Sequence, residues 1–318
     1  MVGLVLNSSR RTLISSTRTF QATDPERNIM RAEFEEKTYE NYLTLELVGN
    51  RRLCFSPGQV LESILGFDAA FYTTNHSFWR NFPLPRPWWY FERFNHPLGI
   101  KLSREWWQEL EEEIEHFPKF KFNCFVQAKR PAYMVSPISA EYSSWKMPYF
   151  RYDTFPDQQK ALESLAQKTS GKAIVVYACP AFHKSKELFE FNAGRLLVQK
   201  SNFCEIIRLN NHNRYSFTKP GNKGIAHSEP EPVESMPFGQ SLDELGNQES
   251  TQSNVTFLTR TAELTHSAAE QLGNLFEAYS LVEGRSSQNA DGMGSLAKSL
   301  ARINSFLLVC NVKLLIGY

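Results

Sequence analysis

The chain lacks closely spaced cysteines. Its five, Cys54, Cys124, Cys179, Cys204 and Cys310, stand far apart, which argues against a four-cysteine zinc site, since that needs paired spacing. Buried, reduced thiols of a cytoplasmic protein are the expected state. No hydrophobic run is long enough to span a bilayer; Ser305 to Cys310 is short and Lys313 follows it. Net charge is close to absent: 35 Lys and Arg against 34 Asp and Glu leave +1. No global basic field therefore marks a nucleic-acid binder, although a local basic strip would suffice for one. Neither a Walker A nor a dinucleotide-binding glycine pattern occurs, which excludes an internal nucleotide motor or Rossmann site. The first 23 residues contain no acid and carry Arg10, Arg11 and Arg18 among many Ser and Thr. That composition is transit-peptide-like; we read 1–29 as a poorly ordered extension ahead of a domain that starts near Met30.

What the chain has in quantity is aromatic surface, 13% of residues. Trp79, Trp88, Trp89, Trp106 and Trp107 crowd one region, which points to a packed globular domain. Helical spacing without Gly or Pro predicts a helix over 32–48, stopped by Gly49. Short strands are expected at 53–55 and 67–73, with a short helix at 57–65 between them. Residues 75–100 have no clean period and read as an insertion. A helix over 103–117 has Ser103 as cap and Glu105 in its first turn. A strand over 120–128, an irregular aromatic loop over 131–155, a helix over 156–168 and a buried strand over 173–179 follow. A further helix (185–198) and strand (203–209) close a domain spanning 30–218. Pro, Gly, Ser and Glu then dominate, so 219–260 reads as linker and 261–318 as a helical segment outside the core. The fold class is α/β, a mixed sheet flanked by helices.

The most informative stretch is Asn123 to Pro131. Side chains alternate along a strand, so Phe125, Gln127 and Lys129 share a face. Lysine is costly to bury unpaired, so Gln and Lys side by side at the end of an apolar strand suggest a site. A second apolar run, Gly66 to Tyr72, carries a single acid, Asp68. Ahead of both lies an acid-rich helical segment with Glu33, Glu35, Glu36 and Glu40.

Helical Glu, strand Asp, then strand Gln-x-Lys is an order that resembles the PD-(D/E)XK, or restriction-endonuclease-like, nuclease superfamily in its Gln-x-Lys variant. The resemblance covers about half the chain, from Met30 to Phe182, and its αβββαβ core order matches the expected elements. It implies a DNA endonuclease that hydrolyses phosphodiesters with Mg²⁺ or Mn²⁺, in a microbial restriction or anti-phage setting, with a homo-oligomeric or defence-system partner. Asp68 and the amide oxygen of Gln127 would hold the metal. Lys129 would help deprotonate the attacking water or stabilise charge. Glu36, or failing it Glu40, would complete the shell. Gln at position 127 departs from the commoner acid and carries no charge, which leaves the number of metals open. Taken singly, each residue has a structural reading: a surface Asp, a strand-end Lys reaching water, a solvated helix face. The alternative reading is a catalytically silent nuclease-fold module that binds nucleic acid or a protein. A purely interacting protein is a third class.

Basic residues mixed with rings are the candidates for a nucleic-acid groove: Arg86, Arg93, Arg130, Lys146 and Arg151. The rival reading is that the rings fill a second small core. Cys179 and His183 lie close in sequence without a protease signature. His227 is more readily a turn residue than a substrate contact.

Overall fold

The computed structural model describes residues 29–49, 53–55, 104–289 and 294–318. The expected extension (1–29, apart from its last residue), the Asp68 run and the aromatic insertion lie outside the described residues. The remaining chain is mixed α/β, with strands in two sheets.

One sheet has five strands. In spatial order they are β2 (Leu53–Phe55), β11 (Lys313–Gly317), β3 (Phe122–Ala128), β6 (Ala173–Pro180) and β7 (Ser201–Glu205). β3 and β6 are parallel, with Gln127 opposite Tyr177, and the other pairs are antiparallel. All seven residues of β3 are buried, the pattern of a strand covered on both faces. On one face, Phe125, Val175 and Tyr177 pack with Leu162, Ile303 and Phe306. On the other, Phe122, Cys124 and Val126 pack with Tyr39, Leu43 and Phe238. Each large side chain so buried contributes about 1.5–3 kcal/mol.

Helix α1 (Glu36–Gly49) buries Tyr39, Glu40, Leu43 and Leu47, a helical stripe. Tyr39 also meets the Ser201 hydroxyl at 2.7 Å. The helix α2 (Arg104–His116) stands where its cap signals put it. The second sheet is six-stranded and antiparallel: β1 (Ile29–Arg31), β4 (Ala132–Met134), β5 (Tyr149–Asp153), β8 (Arg214–Phe217), β9 (Lys223–His227) and β10 (Glu231–Glu234). The stretch 131–155 is therefore mostly ordered, holding β4, the short helix α3 (Tyr142–Trp145) and β5. Helix α4 (Pro156–Thr169) has Pro at its first position, where a missing N–H costs nothing. It leads into β6, and α5 (Ser185–Ala193) precedes β7.

The boundary expected at residue 219 is corrected. Residues 223–234 are strands of the six-stranded sheet, and α6 (Phe238–Gly246) lays Phe238 on Phe203 with ring centroids 4.3 Å apart. Helix α7 (Asn254–Ala269) and α9 (Ser295–Cys310) join the main core, while α8 (Phe276–Asn289) packs on α9. The last strand, β11, is an interior strand of its sheet, between β2 and β3. β11 pairs with one edge of β3 and β6 with the other. Lys313 to Gly317 is a five-residue, largely apolar run without alternation, at the end of a segment with helical spacing, so local signals there favour helix.

Gly317 shows how tightly β11 is held. A Cβ there would overlap the Phe122 ring opposite, so the ring lies over the glycine. Residues 29–218 alone should give no cooperative thermal transition, because they lack β11, β9, α7 and α9. A sharp transition within a few degrees of the full chain would contradict this.

Candidate functional site

The site is built at the carboxyl ends of the parallel pair β3 and β6, the side of an open α/β sheet where ligands commonly bind. Its frame is the last turn of α9. A helix leaves its final carbonyls without helical donors. Gln127 Nε2 donates to Cys310 O (2.9 Å) and to Gln158 Oε1 (3.1 Å), and Gln158 Nε2 donates to Val309 O (3.4 Å). The next residue, Asn311, turns the chain in the left-handed region at φ 49°, a conformation Asn tolerates as a helix cap. Its side-chain amide donates to Glu36 Oε1 at 3.0 Å. Glu36 Oε2 accepts the Arg130 backbone N–H at 3.2 Å. Consecutive residues, Cys310 and Asn311, thus tie Gln127 to Glu36.

Gln127 is 1% exposed, and its Oε1 has no hydrogen-bond partner. The amide nitrogen serves the fold, and the oxygen is left over. A buried acceptor without a donor costs about 1–3 kcal/mol, so a ligand or water supplying one there would be favourable.

Lys129 is 5% exposed. Its backbone N–H bonds to Ala178 O at 2.9 Å, which fixes it as the residue just past the strand. The ammonium lies 5.0 Å from the Tyr177 ring centroid and 5.3 Å from that of Phe155. No carboxylate stands within ion-pair distance of it among the described residues. Burial pushes its pKa below the ordinary lysine value, while the negative charges of Glu36 and then Asp153 pull the other way. The rings offer a cation partial compensation through their faces.

Helix α1 positions the two helical acids differently. Glu36, at its first residue, faces the site. Glu40 is buried with its carboxylate on Lys37 (3.0 Å) and Lys313 (3.7 Å), so it neutralises cations away from the Lys129 ammonium. The structure therefore brings together Glu36, Gln127 and Lys129; Asp68 lies outside the described residues. Among the described residues no group of three or more His, Cys, Asp or Glu could hold a metal. Glu36 and Gln127 Oε1 are oxygen donors of the hard kind Mg²⁺ takes, and the unsatisfied amide oxygen suits such a ligand.

The proposed groove residues have other duties. Arg130 binds Glu35 at 2.9 Å and the Ala32 carbonyl. Arg151 reaches buried Glu141 at 3.2 Å. Glu141 also takes Arg214 (2.8 Å) and the Tyr149 hydroxyl (2.6 Å), and these partners outweigh burial and hold its carboxyl down at about 2. Lys146 is the exposed left-handed cap of α3. Arg86 and Arg93 lie outside the described residues. His227 is a buried strand residue of β9, 2.7 Å from the Ser216 hydroxyl, which in turn accepts the Trp145 N–H at 2.8 Å. Ser216 is fully buried, so this trio ties α3 to two strands instead of meeting a substrate. The Cys179 thiol is buried and its pKa raised, which makes it inert.

Sequence reasoning missed Gln158, Asn311, Phe155 and Tyr177. Asn after a helical run was a readable stop signal; its partnership with Glu36 was not. No family model, curated protein or solved structure matches the chain.

A buried lysine kept for function should cost stability. Its folded pKa lies below its unfolded one, so the unfolded state binds more protons in the interval between them. The cost is present below that interval and is relieved as pH rises through it towards 10.5. Lys129→Met, which keeps the stem, should raise stability at pH 7 by about 1–3 kcal/mol. Urea unfolding at pH 7 and pH 10 checks this. Destabilisation at pH 7, or a gain that grows with pH, would contradict it.

Proposed function

We propose that the chain is a metal-dependent phosphodiesterase acting on DNA, with Glu36, Gln127 and Lys129 as its working residues. The observation that carries this reading is Lys129: a buried cation without an ion-pair partner among the described residues, two residues beyond an unsatisfied amide oxygen on the same strand and within the field of Glu36. Perturbed ionisable groups at a strand end are a recognised mark of functional sites. The resemblance of the Gln-x-Lys pattern to PD-(D/E)XK nucleases agrees with it, as does a helix, the Gln-x-Lys strand, a crossover helix and a parallel strand in that order.

Mg²⁺ or Mn²⁺, held by Glu36, Gln127 Oε1 and the Asp68 that the resemblance assigns, would lower the pKa of a bound water and offset phosphate charge. The chain's own residues do the rest. As an ammonium, Lys129 stabilises charge on the non-bridging oxygens; as the free amine that its lowered pKa favours, it accepts the water's proton. The water oxygen bonds to phosphorus, the bond to the leaving sugar oxygen breaks, and that oxygen takes up a proton from solvent water. Tyr177 and Phe155 hold the amine in place. Gln127 and Gln158, braced on α9, keep the amide oxygen turned away from the helix end.

A second reading has its own support. Both Glu36 oxygens already accept protein N–H groups, and the described acids are few at this point. A silent module that binds DNA without cutting it would look the same.

Supercoiled plasmid with Mg²⁺, Mn²⁺ or EDTA separates the two. The wild type should nick it only with metal. Folded Lys129→Met and Glu36→Gln proteins should be slower by about two to four orders of magnitude. Retention of DNA with no cutting under any metal would transfer the conclusion to the silent module. Neither cutting nor retention would end both readings.

A further inference from the structure

At the other end of β3, about 20 Å from Lys129 at strand rise, lies a cleft between β3, the end of α4 and the face of α7. Its cavity of about 60 Å³ is several times what one water needs, about 10–15 Å³. Lys121, Lys168, Lys172 and Arg260 line it, and no acid does. The side chains of Lys168, Lys172 and Arg260 are exposed at the rim, and none makes an ion pair among the described residues. Two lysines near the C-terminus of α4 are explained by its helix dipole. Lys121, just ahead of β3, donates to Gly246 O at the end of α6 (2.7 Å); Arg260, on α7, has no such explanation.

The floor carries a separate observation. Asn123 is 5% exposed, and its Oδ1 has no partner. The amide's orientation is fixed by its neighbour. Thr261 Oγ1 donates its one proton to Phe257 O (2.9 Å), so it accepts from Asn123 Nδ2 (2.9 Å). The group left over is an acceptor, in a cleft whose rim carries the cations of Lys168, Lys172 and Arg260. An oxyanion alone would satisfy the cations and repel that oxygen. An oxyanion that still carries a proton satisfies both.

We propose that this cleft binds a protonated phosphate: inorganic phosphate or a phosphate monoester. Inorganic phosphate near neutral pH keeps an O–H in either charge state, and a monoester, with its second pKa at about 6, keeps one as its monoanion; that O–H donates to Asn123 Oδ1. The remaining oxygens face the lysines and Arg260 through charge-assisted hydrogen bonds. Sulfate and the phosphodiester backbone of nucleic acid have no such proton, so the site discriminates against both.

The test uses the full chain at pH 6.5 and fixed ionic strength. Thermal unfolding is followed with potassium phosphate, a nucleoside monophosphate, potassium sulfate or a short oligothymidylate without a terminal phosphate. Phosphate, the monophosphate or both should raise Tm by about 2–5 °C at saturation, with the responding ligand identifying free phosphate or a monoester as the source. Sulfate should bind at least about 10-fold more weakly. Lys172→Gln with Arg260→Gln changes only exposed residues; it should leave the ligand-free Tm in place and abolish the rise. Its DNA cleavage should match wild type, which separates this site from the one at Lys129. Equal response to sulfate, no response to either phosphate, or a rise that survives the double substitution would each overturn the proposal. A rise with the oligothymidylate that the double substitution abolishes would assign the cleft to nucleic-acid backbone instead.

Discussion

The turn that carries α9 into β11 is the constraint on which the rest depends. A helix ending inside a protein must find donors for its last carbonyls. Gln127 and Gln158 supply them from β3 and α4. Asn311 then reverses the chain and grips Glu36. One helix end thereby fixes the relative positions of a helix, a strand and the residue before the next strand. The same amide that caps the helix is left with an unsatisfied oxygen, so the scaffold and the candidate chemistry share an atom group. Gln127→Glu, which the motif would favour, meets an obstacle here: it removes the donor to Cys310 O and sets a carboxylate against it.

The buried charges divide by how they are compensated. Glu141 is surrounded by two arginines and a tyrosine and serves to lock strands of the antiparallel sheet. Glu40 sits between two lysines. Lys129 has rings where a carboxylate would be expected. Structural ion pairs and a functional cation look alike in sequence, since each is one charged residue in an apolar context. They separate only when partners are seen.

The strands and helices around the Gln-x-Lys motif were legible because their signals are local. Proline 156, the apolar run Ala173 to Cys179 and the alternation through Gln127 each act within a few residues. Glu36 was favoured over Glu40 among the helical acids, and its carboxylate accepts the backbone N–H of Arg130, the neighbour of Lys129. The place of β11 was not legible. Five residues after a long helix carry little pattern, and their pairing with a strand far back in the chain is a tertiary choice. Nor was the ordering of 223–234, where Gly, Pro and Glu suggested a linker: Gly224 is there because the Tyr215 ring and the Ser216 carbonyl leave no room for a Cβ, and that neighbour is invisible from the local sequence.

The interior position of β11 has a consequence for how the molecule is made. β3 emerges from synthesis long before the strand that must lie beside it. Until residues 313–317 arrive, one edge of β3 presents open N–H and C=O groups along a mostly apolar strand, the surface most prone to pairing with another chain. Sheet closure is then a late, long-range event, slow by its loop-closure entropy. Until β11 pairs, the growing chain has to keep that edge from meeting another strand.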